Sequence, residues 1–217
     1  MSDQRIRRER MVARLLEPKG IDDPRVLHAM REIPRHRFVD EALAAKAYGD
    51  HALPVGHSQT ISQPWIVAYM TQLVRAGEGD AVLEVGTGSG YQAAVLSQVF
   101  SRVFTVERIP ELSERARLVT RSLGIENVHF KIFDGTYGWS EFAPYPAMMV
   151  TAACPEVPGP LLEQLAEGGR LAVPVGEPRA QTLQLVTRKG KRDFVHEDHG
   201  RVGFVPLLGR FGYRPGL

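Results

Sequence analysis

The chain has 217 residues, 43% of them hydrophobic and 24% charged, with 21 glycines and 15 prolines. That composition excludes collagen-like, low-complexity and wholly disordered chains, and a domain of this length buries about 70% of its unfolded surface without staples. The net charge of +2 is concentrated at the start, where Arg5, Arg7, Arg8, Arg10 and Arg14 outnumber Asp3 and Glu9. The rest is close to neutral and offers no broad field to a phosphate backbone, so nucleic acid is not an expected partner. Cys154 is the single cysteine, which rules out an intramolecular disulfide. The longest stretch free of Lys, Arg, Asp and Glu, His51–Val74, is interrupted by Pro54, Pro64, Gln59 and Gln63, and no apolar run follows the N-terminal arginines. Neither a membrane span nor a signal peptide is expected, and the default is a soluble cytoplasmic protein.

Residues 4–17 set Ile6, Val12, Leu15 and Leu16 among arginines, the pattern of an amphipathic helix with a basic outer face. A second short helix is expected from Asp23–Pro24 to about Arg31, stopped by Pro34, and a third over Asp40–Ala47. Together these make a helical cap over residues 1–50. From Asp80 the pattern alternates strand and helix: strand Ala81–Val85, helix Tyr91–Phe100, strand Arg102–Val106, a helix from Pro110 to about Leu123 stopped by Gly124, and strand Asn127–Phe133. Strand Tyr145–Thr151, helix Leu161–Ala166 ended by Gly168–Gly169, and strand Leu171–Val175 follow. Thr182–Thr187 and Arg201–Leu207 suggest a terminal hairpin joined by a charged loop. Repeated β–α–β units imply an α/β fold with a mostly parallel sheet and helices on both faces. The expected organisation is one domain over 1–217, with a core over 51–176 and C-terminal strands over 177–217.

The sharpest local signal is Val82-Leu83-Glu84-Val85-Gly86-Thr87-Gly88-Ser89-Gly90, placed between a predicted strand and a predicted helix. Glycines there let the backbone turn sharply and leave room for a ligand. The spacing is G-x-G-x-G, and Glu84 precedes the first glycine by two positions. An acid at that place opposes a pyrophosphate, which makes a nicotinamide dinucleotide the weaker reading, and suits a cofactor with a cationic amino-acid end. Glu107 falls at the end of the next strand, where a carboxylate can accept from both ribose hydroxyls. Asp134 ends the strand after that and can accept from an exocyclic adenine amine. Acids at three successive strand ends describe a nucleoside with a positively charged tail, S-adenosylmethionine. Each acid taken alone is also a plausible helix cap.

The chain resembles the protein-L-isoaspartate (D-aspartate) O-methyltransferases, a family of Rossmann-like class I methyltransferases. The resemblance rests on Ala52–Gly56 with Gln59-Thr60-Ile61-Ser62-Gln63-Pro64, on Val82–Tyr91, Thr105–Arg108, Asp134-Gly135, Val150–Ala153, Gln164–Gly176 and Phe204–Leu207. The Gln-Thr-Ile-Ser-Gln-Pro segment is the part that separates this family from its relatives. The resemblance implies methyl transfer from S-adenosylmethionine to the α-carboxylate of L-isoaspartyl residues, or the side-chain carboxylate of D-aspartyl residues, in damaged proteins and peptides. The ester then loses methanol to give a succinimide, whose hydrolysis restores part of the population to aspartate. It further implies cofactor binding by Gln59, Thr60, Ile61, Ser62, Glu84, Gly86, Thr87, Gly88, Gly90, Glu107, Asp134 and Gly135. Substrate binding is expected at Ile61, Ser62, Thr151, Ala152, Ala153 and Val205. The alternatives are a class I methyltransferase on another carboxylate or small molecule, and a non-catalytic binder of the cofactor or of peptides.

A carboxylate nucleophile is already ionised at neutral pH, its reference pKa being about 4, so no general base is required. A fixed cation beside it would hold it in its ground state. The expected site is therefore lined by hydroxyls and backbone N–H groups, with Ser62 donating to the substrate carboxylate as its match to the family's active-site serine implies. Ser62 could instead cap the helix that follows Pro64. Cys154 reads as a small buried hydrophobe, Trp65 and Tyr69 as core packing, and the histidines lack metal-ligand spacing. Pro146 stands where the family has an aspartate, a departure expected to disturb the edge of the cofactor region. Phe133, where glycine is frequent, is a milder one.

Overall fold

The structure, a computed structural model, describes residues 3–75 and 80–214. The N-terminal helix α1 (Asp3–Met11) runs on through a π turn (Val12–Leu16) and a 3₁₀ turn (Glu17–Lys19) that Gly20 ends at positive φ. Helix α2 (Pro24–Glu32) starts with Pro24 in its first turn, and the Asp23 carboxylate accepts from the Arg25 N–H at 2.9 Å, an N-cap. The run expected to be helical over Asp40–Ala47 is a 3₁₀ segment, Glu41–Lys46.

Strands β1 (Leu53–Gly56) and β2 (Gln59–Ile61) form a small antiparallel hairpin that the residue pattern does not announce. Its two-residue turn holds His57 and Ser58 at φ of 52° and 56°, values that favour glycine or asparagine. Helix α3 (Pro64–Arg75) follows directly. It is fastened to the cap through Gln72, whose Oε1 accepts from the Asp22 and Asp23 N–H groups and whose amide donates to the Gly20 carbonyl. Arg75 pairs with Asp23 at 3.1 Å.

The main sheet has seven strands, in the order β5-β4-β3-β6-β7-β8-β9. Strands β3 (Ala81–Val85), β4 (Arg102–Glu107), β5 (Val128–Ile132), β6 (Tyr145–Val150) and the first part of β7 (Leu165–Glu177) are parallel neighbours. All five residues of β3 are buried, as expected of a strand covered on both faces. Val82, Val103, Ala147 and Met149 face α3 and α4 (Tyr91–Leu96), while Leu83, Val85, Phe104 and Met148 face the side of α6 (Gly159–Gln164). Helix α5 (Pro110–Ser122) follows the sequence signals closely. Proline sits in its first turn, Arg121 in its last, and Gly124 at φ 71° lets the Ile125 N–H reach back to the Thr120 carbonyl at 3.1 Å.

The larger differences from expectation lie at two helix ends and in the C-terminal strands. The helix predicted over Tyr91–Phe100 ends at Leu96, and the one predicted over Leu161–Ala166 ends at Gln164, where β7 begins. Gly168 and Gly169 therefore lie inside a strand. The terminal hairpin is β8 (Ala180–Gly190) with β9 (Asp193–Val202), so most of the charged segment taken for a loop is strand. Its residues are charged because β9 is an exposed edge strand, with only intermediate or exposed positions. Residues 203–207 leave the sheet and cross the end of β6, where Ala153 donates its N–H to the Val205 carbonyl at 2.8 Å and Leu207 donates to Ala153 at 2.7 Å. Pro146 interrupts neither the core nor the site. It lies at the N-terminal end of β6, where the pairing with β7 shifts register, and four residues before Val150 at the opposite end of the strand.

Candidate active site

A cleft opens at the carboxyl ends of β3, β4 and β6, the end at which open α/β sheets bind ligands. Its floor is the glycine turn. Gly86 donates to the Val106 carbonyl at 2.9 Å and has φ 100°; a side chain there would strike the Thr151 hydroxyl. That hydroxyl donates to the Gly86 carbonyl at 2.5 Å, with the Val85 carbonyl 3.1 Å away. Gly88 has φ 51°, and a Cβ added to it would meet nothing within 4 Å, so its backbone borders open space. Gly90, at φ 84°, lies instead against Ala116, 2.7 Å from the place a Cβ would occupy. Its role is the close packing of α4 on α5, and it is not part of the cleft wall.

Glu107 lines the cleft, 7% exposed, and its two oxygens accept from the Gly88 N–H (2.9 Å) and the Ile109 N–H (3.0 Å). One backbone donor of the glycine turn is thus already held by an anion, which disfavours a phosphate there and leaves carboxylate lone pairs for hydroxyls. Glu84 is wholly buried beneath the turn and does not itself line the cleft. Thr105 donates to its Oε2 at 2.5 Å, Thr87 donates in turn to Thr105 at 2.6 Å, and Oε1 has no partner among the described residues. Burial drives the Glu84 carboxyl up to about 8, against the Thr105 hydrogen bond and with a smaller push from Glu107. Asp134 is not on the wall either. Its Oδ1 accepts from the N–H and hydroxyl of Thr136 and its Oδ2 from the Arg210 N–H, which anchors the C-terminal segment beside the cleft. Its neighbour Gly135 does line the site, with Arg108, Ile109, Pro206, Leu207 and Leu208.

The opposite wall is β2 and the start of α3. Gln59, Thr60, Ile61 and Ser62 all line the cleft, joined by Ile66, Val67 and Met70. Ser62 does not cap α3: the Val67 N–H bonds to the Gln63 carbonyl, and the Ser62 hydroxyl has no hydrogen bond among the described residues. Thr60, Ser62, Ile66, Thr151, Phe204 and Val205 border both the cleft and a second groove that runs out past Ala52, Gln63, Trp65 and Arg201. Thr151 and Val205 thus sit at the junction, while Ala152 lines the cleft alone. Ala153 is fully buried and serves through its backbone, which binds the 205–207 segment. No lysine or arginine lines the central cleft among the described residues. Cys154 is buried, its thiol pushed up to about 12 by burial, and it donates to the Pro174 carbonyl at 3.4 Å. It is not a nucleophile at neutral pH.

Residues that the sequence reading did not single out also shape the site: Ser89 in the glycine turn, Tyr91 and Gln92 on α4, Met70 on α3, and Ile109 with Leu208 at the far end. Ser89 and Tyr91 fall inside the Val82–Tyr91 segment and Ile109 two residues after the strand-terminal Glu107, and those positions are the sequence signals that could have found them.

The fold and the site define a class I methyltransferase: a Rossmann-like sheet with a G-x-G-x-G turn, an acid closing the next strand, and a cleft between them. A profile of the protein-L-isoaspartate (D-aspartate) O-methyltransferase family matches residues 6–212, and the chain belongs to that family. It is 51% identical over 211 residues to the protein-L-isoaspartate O-methyltransferase of Syntrophotalea carbinolica, covering 97% of each chain. It is 52% identical over 206 residues to protein-L-isoaspartate O-methyltransferase 1 of Syntrophobacter fumaroxidans, covering 95% of this chain and 96% of that one. Among solved structures, a protein-L-isoaspartate O-methyltransferase superposes with a TM-score of 0.86 at 34% identity, covering 94% of this chain and 67% of that one. A Plasmodium falciparum protein described as a putative member, in complex with S-adenosyl-L-homocysteine, superposes at 0.81 with 24% identity, covering 93% of this chain and 98% of that one, and bears on the fold.

Proposed function

We propose that this chain methylates the free carboxylate of L-isoaspartyl and D-aspartyl residues in damaged proteins and peptides, with S-adenosylmethionine as donor. The residues fit that cofactor. The open space above Gly88 and the Glu107 carboxylate suit a cationic nucleoside better than a phosphate. When bound, the cofactor supplies an electrophilic sulfonium methyl. Gly86, Thr87 and Gly88 would hold its amino-acid end, Glu107 its ribose, and Ile109, Gly135 and Leu207 its base. Asp134 contributes by fixing the 209–211 segment beside that base.

The observation that carries the reading is the unengaged Ser62 hydroxyl at the junction of the cleft and the outer groove. A peptide lying in the groove along Trp65, Val202 and Phe204 would present its carboxylate at that junction. Ser62 donates one hydrogen bond, which orients the nucleophile without neutralising it. Ile66, Met70, Phe204 and Val205 keep water away, and alignment of the reacting atoms is the largest contribution, worth roughly 7–11 kcal/mol in favourable cases. The described residues of the central cleft include no cation, which suits the chemistry: a salt bridge to the carboxylate would be strongest in the ground state and lost as charge cancels in the transition state. No helix among the described residues is long and apolar enough to cross a membrane. A cytoplasmic location belongs to this reading, supported by the single, buried and free cysteine.

The test is a methyl-transfer assay with radiolabelled cofactor and paired peptides that differ only in an isoaspartyl or aspartyl linkage. Label in the first alone is expected. Equal labelling of both would remove the repair assignment.

A further inference from the structure

Among the described residues Arg35 is the largest fully buried side chain, and no carboxylate among them pairs with it. It sits in the 3₁₀ turn Arg35–Phe38, outside the cofactor cleft. Its Nε donates to the Ala47 carbonyl at 2.7 Å and its Nη2 to the Ser62 carbonyl at 2.6 Å. The guanidinium carbon lies 4.8 Å from the centroid of the Tyr91 ring, the first residue of α4 after the glycine turn. Burial lowers the guanidinium to about 10, with Tyr91, Tyr48 and Asp50 opposing the shift, so it remains a cation at neutral pH. A buried charge without a counter-ion is costly. Here a planar fork on two carbonyls and an aromatic face replaces part of the lost water, Nη1 being left without a partner among the described residues, and a lysine does not reproduce that geometry.

We infer that Arg35 is a positioning residue for methyl transfer: it fixes the Ser62 peptide against the helix that carries the donor site, and so sets the distance between acceptor and methyl group. The three groups it joins come from the cap, from the acceptor wall and from the donor wall. The β1–β2 hairpin offers no substitute, because it pairs over only four and three residues and contains two non-glycine residues at positive φ. This inference rests on the proposed role of Ser62 as the acceptor-side contact.

The experiment compares Arg35→Met and Arg35→Lys with the intact protein, measuring kcat and KM for an isoaspartyl peptide, the affinity for S-adenosyl-L-homocysteine, and Tm. Leu16→Ala, in the apolar core of the cap, serves as a control that lowers Tm without touching the site. Arg35→Met is expected to lose about tenfold or more in kcat while the affinity for S-adenosyl-L-homocysteine stays within about twofold, with Arg35→Lys recovering part of the loss. The Leu16→Ala control is expected to keep its kcat. Should Arg35→Met not fold, Arg35→Lys alone decides: a several-fold lower kcat at unchanged affinity supports the inference, and a wild-type kcat overturns it. Loss of affinity in step with kcat, or a kcat loss matched by Leu16→Ala at equal Tm, reduces Arg35 to a structural residue and also overturns it. A Ser62→Ala protein with full activity would sink the reading of Ser62 itself, yet a kcat-only defect in the Arg35 variants would still identify the segment as held in place by the guanidinium.

Discussion

The two walls of the cleft are built by different means. The donor wall is made by the sheet: β3 and β4 are buried parallel neighbours, and their ends deliver the glycine turn and Glu107 within 21 residues of Gly86 in sequence. Its glycine turn is held by backbone pairing of Gly86 with Val106, by the Glu107 carboxylate on two backbone N–H groups, and from beneath by the Thr87–Thr105–Glu84 hydrogen bonds. The acceptor wall combines a short hairpin, the Thr151–Ala152 turn and the Phe204–Val205 crossing, pieces separated by 90 and 53 residues of chain. It is held by single side chains, Arg35 and Thr151 above all. A wall made by a sheet tolerates the loss of one side chain, whereas a wall made from separate pieces does not.

Four substitutions probe that contrast. The largest effect is expected on the acceptor side: Ser62→Ala should lower kcat about 100-fold, the scale of one lost orienting donor, while S-adenosyl-L-homocysteine binds as before. A titration showing the affinity falling with the rate would assign Ser62 to the donor wall instead. Next, Gly86→Ala places a methyl group on the Thr151 hydroxyl at φ 100°. It should cost about 1–3 kcal/mol of stability and weaken cofactor binding about tenfold, and calorimetry with unfolding curves reads both. On the donor side, Glu107→Gln keeps the shape but turns one amide donor towards the Gly88 or Ile109 N–H. About fivefold weaker binding is expected, with kcat at saturating cofactor changed less than in Ser62→Ala.

A pH dependence of stability, with no expected change in the chemistry of transfer, completes the set. The buried Glu84 carboxyl is raised from about 4.5 to about 8, so between those values the folded state holds a proton that the unfolded chain has lost. Its contribution to stability is complete below about pH 4.5 and disappears as pH rises to about 8. Relative to Glu84→Gln, the wild-type protein should lose several degrees of Tm between pH 5 and pH 8. Parallel curves would mean that Glu84 is ionised beneath the turn throughout.

Legibility in the sequence follows the same division. The donor wall was readable because its chemistry is local: a buried strand, three glycines and a strand-terminal acid occur in one short window with a β–α–β rhythm around it. The Gln59–Ser62 segment was readable only as a resemblance, since a three-residue strand and a turn through His57 and Ser58 carry no periodicity. The long β7 to β9 strands were cut short in the reading because Gly168–Gly169 and the charged run 188–201 look like loop. In the structure that run is an edge strand, where charge is tolerated on both faces.

By itself the sequence determined the parallel sheet, the glycine turn, the place of Glu107 and the absence of any need for a general base, since each depends on residues close together along the chain and on the ionisation of the substrate. Only the tertiary structure decided that Glu84 lies beneath the floor with Thr105 as its donor, that Asp134 holds the tail, that Gly90 and Ala153 serve packing and pairing, and that Pro146 is remote from the cleft. Those assignments turn on which side of a strand a side chain takes and on what meets it from another element, 21 to 76 residues away along the chain, and neither quantity is encoded in local pattern.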